Sequence, residues 1–169
     1  RYPRIAFHSP SGRIFLRLSS KQKIKVKNDD GLTRKNAVPF GLAGFTIPAD
    51  AKAILLVEGP YDWLRTYQNL VDLGLEREVV PIALLGVSQW NAFLKVLEMR
   101  LMSSLETKTI ILAFDNDEAG KLLTAKALED LQKKLLLPKS QVRVLSYQEH
   151  DPGDTGKASL MNGLKKVGF

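Results

Sequence analysis

Cysteine is absent from all 169 residues, which excludes a disulfide framework and a thiolate zinc site and gives no reason to place the chain in an oxidising compartment. Histidine occurs only twice, as His8 and His150, and in no ligand spacing. A metal site in this chain would therefore be built from oxygen, which selects a hard cation, magnesium or manganese, over zinc. No apolar run approaches the roughly 18 residues of a membrane span, and no signal-peptide pattern opens the sequence. The expectation is a soluble, cytoplasmic protein with no membrane partner. Low-complexity tracts and internal repeats are absent too, and 44% hydrophobic content at this length suits one domain with a core and a small appendage.

What is present is unevenly charged. Residues 1–36 hold ten Lys or Arg against Asp29 and Asp30, whereas the remainder has 15 basic and 16 acidic residues, so the net charge of +7 comes from one end. A basic flank on a near-neutral body fits a polyanionic partner. It also fits a solvated surface hairpin. Arg17, Lys23 and Lys25 are the candidates for gripping nucleic-acid or nucleotide phosphates, and each is equally readable as a solubilising charge.

Periodicity divides the chain near residue 50. Ile5 and Phe7, the turn Ser9-Pro10-Ser11-Gly12, the alternating Ile14, Leu16 and Leu18, and the run Lys23–Lys27 closed by Asn28-Asp29-Asp30-Gly31 read as a small basic β element. Residues 32–50, with Pro39, Gly41, Gly44 and Pro48, read as a linker. From Ala51 strands and helices alternate. Strands are expected over 53–57, 79–85, 109–114 and 141–146, and helices over 61–73, 88–105, 118–137 and 157–166. Repeated strand–helix–strand units predict an α/β fold: a Rossmann-like parallel sheet of about four strands flanked by helices, with a basic N-terminal β extension.

The apolar runs Ile54–Val57 and Thr109–Phe114 stop at Glu58-Gly59 and at Asp115-Asn116-Asp117. Loops after parallel strands emerge on one side of the sheet, where open α/β sheets place their ligands. Three of the four such loops hold acids: Glu58 to Asp62, Asp115 to Asp117, and Glu149 to Asp154. Each has a plainer reading. Asp117 ahead of Ala119-Gly120 is also a helix N-cap; Ser88 reads as an N-cap or a phosphate contact; Gly86 reads as a tight turn. His150 is open to a phosphate contact, His8 reads as a strand residue, and Trp63 and Trp90 read as packing residues rather than base-stacking platforms.

Leu56-Val57-Glu58-Gly59, Leu84-Leu85-Gly86-Val87-Ser88, Ala113-Phe114-Asp115-Asn116-Asp117-Glu118-Ala119-Gly120 and Asp151-Pro152-Gly153-Asp154 together resemble the toprim domain of topoisomerases, primases and some nucleases, over residues 51–169. The Glu-Gly-Pro-Tyr-Asp and Asp-Asn-Asp-Glu-Ala-Gly forms are most similar to the catalytic core of bacterial, phage or plasmid DNA primases and primase-helicases. Gly12, Arg17, the Lys23 to Asn28 run and Phe40-Gly41-Leu42 resemble, more loosely, the stretch such primases carry ahead of that domain.

The resemblance implies metal-dependent nucleotidyl transfer that makes RNA primers on single-stranded DNA during replication. It implies Glu58, Asp115 and Asp117 as catalytic residues, with Glu58 as general acid or base and all three, Glu58 included, as metal-binding acids. Asp62, Asp151 and Asp154 are implied as further metal-binding acids around two magnesium or manganese ions. Nucleoside triphosphates, single-stranded template and a replicative helicase in cis or trans are the implied partners, with a replisome location. It further implies a piece of a longer protein, with zinc-binding and helicase regions elsewhere. The family pattern reads Asp-Pro-Asp; here Gly153 spaces the second acid, Asp154, one residue further on. A metal-dependent nuclease and a non-catalytic nucleic-acid-binding module remain the alternatives, while a topoisomerase needs a tyrosine domain that this length does not accommodate.

Overall fold

The computed structural model describes the backbone of residues 4–9, 12–17 and 25–28, and backbone with side chains for 47–84, 86–98, 107–147 and 151–169. Lys23, Leu85, Glu149, His150, most of the expected linker and the tail of the second expected helix lie outside the described residues.

Three N-terminal strands, β1 (Arg4–Ser9), β2 (Gly12–Arg17) and β3 (Lys25–Asn28), form an antiparallel sheet in the order β1-β2-β3. The register opposes Ser9 to Gly12 around the expected turn, and it sets Arg4 opposite Arg17 and Arg17 opposite Lys25. Three cationic residues thus occupy one row across the sheet.

The second sheet is parallel, with β4 (Ala53–Val57), β5 (Val79–Ala83), β6 (Thr109–Leu112) and β7 (Val142–Val144) in the order β5-β4-β6-β7. Helices α1 (Pro60–Leu73), α2 (Trp90–Val96), α3 (Glu118–Lys133) and α4 (Lys157–Lys166) cover both faces. Every residue of β4 is buried, as a strand between two helical layers must be. Its alternate residues feed two cores. Ile54 and Leu56 meet Trp90 and Phe93 of α2 and Leu123 and Leu131 of α3; Ala53, Leu55 and Val57 meet Leu70 of α1 and Leu160 and Leu164 of α4. Trp63 and Trp90 are both packing residues, as expected. Trp90 is 1% exposed and donates its indole N–H to Asp130 at 2.8 Å.

Several boundaries differ from the sequence expectation. A 3-10 turn, Val87–Gln89, precedes α2, so Ser88 sits inside that turn and no side chain caps it. Gly86, at φ 112, makes the tight turn. Helix α3 ends at Lys133 rather than Leu137: the Leu137 N–H bonds back to the Leu131 carbonyl, and Leu136 adopts φ 55 and is 81% exposed. A residue followed by proline avoids the helical region, and Leu137 is drawn into the core instead. Strand β5 stops at Ala83, yet Leu84 N still bonds the Val57 carbonyl; β6 stops at Leu112, yet Ala113 N still bonds the Leu56 carbonyl.

Candidate metal centre

The tips of β4 and β6 are joined directly. Past Val57 the chain places Glu58 half-buried, and its Oε1 accepts the Asp115 N–H at 3.1 Å. Gly59 then starts α1, with its N–H donating to Asp62 Oδ2 at 2.7 Å, so the first helical turn folds Asp62 back toward Glu58. Pro60 occupies the first helical position, where its missing N–H costs nothing.

Asp115 leaves β6 beneath the first turn of α3. A Cβ on Gly120 would lie 2.0 Å from the Asp115 carbonyl oxygen, so glycine is what lets this helix cross the strand tip. Asp117 caps α3 by accepting the Gly120 N–H at 2.8 Å on Oδ1. The N-cap reading is therefore correct, and it leaves the other carboxylate oxygen uncommitted. Asp115 Oδ1 is buried without a hydrogen-bond partner, a costly state for a carboxylate unless a cation joins it.

The Asp151–Asp154 loop closes the third side. Asp151 Oδ1 accepts the Asp154 N–H at 2.8 Å, the Thr155 hydroxyl donates to the Asp151 carbonyl at 3.1 Å, and buried Asn69 of α1 donates to the Thr155 carbonyl at 2.9 Å. A Cβ on Gly153 would lie 2.8 Å from Asp62 Oδ1 and 3.0 Å from Asp151 Oδ1. Gly153 thus serves close packing of the loop on α1. Asp154 is exposed.

The electrostatics follow from burial and crowding. Burial raises the Asp115 carboxyl to about 7, with the charges of Glu58, Asp62, Asp151 and Asp117 adding to it. Burial raises Asp62 to about 7 against the Gly59 N–H, with Asp151 and Glu58 adding. Glu58 is raised by burial, partly offset by the Asp115 N–H, and pushed further by Asp117. The charges of four other expected acids, Glu58, Asp62, Asp151 and Asp117, therefore all bear on Asp115. Among the described residues no three of them stand close enough to hold one ion between them. The all-oxygen donors, the orphaned Asp115 Oδ1 and the mutual repulsion fit a hard cation that takes its remaining ligands from water and phosphate.

Arg17 and Lys25 fall at the paired end of β2 and β3, and the structure describes only their backbone. Sequence reasoning overlooked Tyr147. It follows β7, donates its hydroxyl to the Phe114 carbonyl, and has its proton held more tightly by burial and by Asp115, Asp62, Asp151 and Glu58. The available signal was its place at a fourth strand end. Beside it a cavity of about 350 Å³ opens next to Asp115, lined also by Asn116, Lys121, Thr124 and Ser146.

The sequence model of the Toprim-like family matches residues 55–155. No curated protein matches the sequence. Among solved structures, the primase fragment of the bacteriophage T7 primase-helicase protein is similar in fold, with a TM-score of 0.59 and 19% identity, covering 93% of this chain. The chain spans 56% of the length of that fragment. The primase domains in a structure of the T7 lagging-strand DNA polymerase with two gp4 subunits, an RNA/DNA hybrid and dTTP are also similar, with a TM-score of 0.51, 20% identity, and coverage of 97% of this chain and 72% of that one. No described helix is long and apolar enough to cross a membrane.

Proposed function

The chain belongs to the Toprim-like family, and from that premise we propose that it is the catalytic core of a DNA primase or primase-helicase, joining ribonucleotides into primers on single-stranded DNA. The observation that carries this reading is the buried, partnerless Asp115 Oδ1 among mutually repelling carboxylates at the strand tips. Asp115 and the free oxygen of Asp117 are assigned to metal binding, with Asp62 and Asp151 completing the acidic rim and Asp154 further out. Two magnesium or manganese ions, when bound there, supply charge that stabilises the attacking oxygen and the leaving pyrophosphate.

Glu58 serves as the general base. Its Oε1 is held by the Asp115 N–H, which leaves Oε2 to take the proton from a primer 3′-hydroxyl. A carboxylate whose proton affinity is raised by burial is better matched to this task near neutral pH than an exposed one. The division near residue 50 separates the toprim domain from a basic β extension that binds phosphates. There, the register sets Arg4, Arg17 and Lys25 in one row across the sheet, and that row is assigned to a polyanion; Lys23 is assigned the same role. A replicative helicase, in cis or in trans, and a replisome location complete the proposal.

The test is primer synthesis from nucleoside triphosphates on single-stranded DNA with magnesium, comparing the wild type with Glu58→Gln. Loss of a positioned general base lowers turnover by about 100- to 10,000-fold. Metal-dependent cleavage of nucleic acid without nucleotide incorporation would instead identify a nuclease, and wild-type turnover by Glu58→Gln would remove Glu58 from the chemistry.

A further inference from the structure

The peptide unit between Phe114 and Asp115 is engaged at both ends. Its carbonyl accepts the Tyr147 hydroxyl, and its N–H donates to Glu58 Oε1. These bonds share one conjugated amide, so withdrawal of electron density at the carbonyl makes the N–H a better donor. Linked hydrogen bonds polarise one another in this way where water is kept away. The peptide is shielded from its core side, while the cavity next to Asp115 opens on the other: Ala113 and Phe114 are buried at 1% and 5% exposure, and Tyr147 is half-buried against the cluster that holds Leu145 and Leu160.

We propose that Tyr147 is a positioning residue for Glu58, acting through the Phe114–Asp115 peptide to fix the carboxylate so that Oε2 faces the reactant. The inference rests on the reading of Glu58 as the proton-transfer group. It joins the tip of the edge strand β7 to those of the central strands β6 and β4, so three strand ends set one oxygen atom. A plain packing role for the ring makes a different prediction, because phenylalanine retains the ring and loses only the hydroxyl.

The test uses the full chain and reads the Asp115 amide by NMR in the wild type, Tyr147→Phe, Glu58→Gln and the double variant, alongside steady-state primer synthesis. The Asp115 amide proton moves upfield in each single variant, and the double variant shows less than the sum. Turnover falls about 10-fold in Tyr147→Phe with nucleotide KM unchanged, the lower end of what losing a hydrogen-bonded partner behind a site ligand costs. An unmoved Asp115 amide, additive shifts or unchanged turnover in Tyr147→Phe overturns the proposal. Should Tyr147→Phe fail to fold, site-specific 3-fluorotyrosine at position 147, a stronger donor, moves the same resonance downfield, and no movement refutes the relay. Wild-type turnover in Glu58→Gln beside a responding Asp115 amide sinks the role of Glu58 and reduces the relay to a structural one.

Discussion

Removing a charge from the candidate site should stabilise the metal-free protein. Asp115 carries a carboxyl raised from 3.8 to about 7, by burial first and then by four neighbouring acids. Because its proton affinity is higher folded than unfolded, its contribution to stability is fully present below about pH 4 and is lost as the pH rises through about 7. At about 1.4 kcal/mol per pH unit, the rise sets a ceiling of about 4 kcal/mol on that loss. Asp115 is only half shielded, and water screens much of the repulsion, so about 1–2 kcal/mol is the expected effect. Asp115→Asn keeps the shape, abolishes the charge and sacrifices no recorded side-chain hydrogen bond, since Oδ1 has no partner. In urea unfolding with a chelator present, the variant should exceed the wild type by about 1–2 kcal/mol at pH 8 and converge with it near pH 4. Saturating manganese should reverse the order, because a ligand at about 100 times its Kd adds about 2.7 kcal/mol to the protein that binds it. A variant less stable than wild type at pH 8 without metal, or equally stabilised by manganese, would refute the electrostatic reasoning.

Two further perturbations probe the frame that holds the site. Gly120→Ala drives a Cβ to 2.0 Å from the Asp115 carbonyl oxygen; overpacking of about 3 kcal/mol outweighs a helix-propensity gain of about 1 kcal/mol. The net loss of about 2 kcal/mol should lower Tm by about 4–8 °C, and an unchanged Tm in a thermal melt would show that α3 is free to shift. Asp130, 6% exposed, accepts the Trp90 indole N–H at 2.8 Å and pairs with Lys134 at 2.8 Å and Lys126 at 3.1 Å. Burial alone would raise its carboxyl, but the hydrogen bonds from Lys134, Trp90 and Lys126 overturn that and hold it at about 2. Its stabilising contribution is thus present above about pH 4 and lost as pH falls through 2. Asp130→Asn should cost about 1–3 kcal/mol at pH 7, kept modest because both lysines can return to water. Denaturation that gives equal stability for variant and wild type at pH 7 would rule out this clamp between α2 and α3.

The strand tips were legible because burial on both faces writes itself into sequence as an unbroken apolar run, and an acid at its end breaks that run sharply. Ile54–Val57 before Glu58 and Ile110–Phe114 before Asp115 are such cases. Shorter β7 pairs along one side only and has two exposed residues of three, so its pattern was weaker and its end was placed too late. Gly120 and Gly153 were visible as letters but not as contacts: neither has positive φ, and each is required by the close approach of other atoms, Asp115 at Gly120 and Asp62 at Gly153, rather than by its own backbone.

Tyr147 was the least legible, because its meaning lies in the Phe114 carbonyl, 33 residues away, and a backbone oxygen leaves no trace in sequence. The same limit explains Asn69 and Thr155, linked across 86 residues through another carbonyl. Carboxylates announce a site because charge is costly to bury and has to be justified residue by residue. The groups that orient them act through main-chain atoms that every residue possesses, so their identity emerges only once the strands are paired and the peptide units have been brought into place.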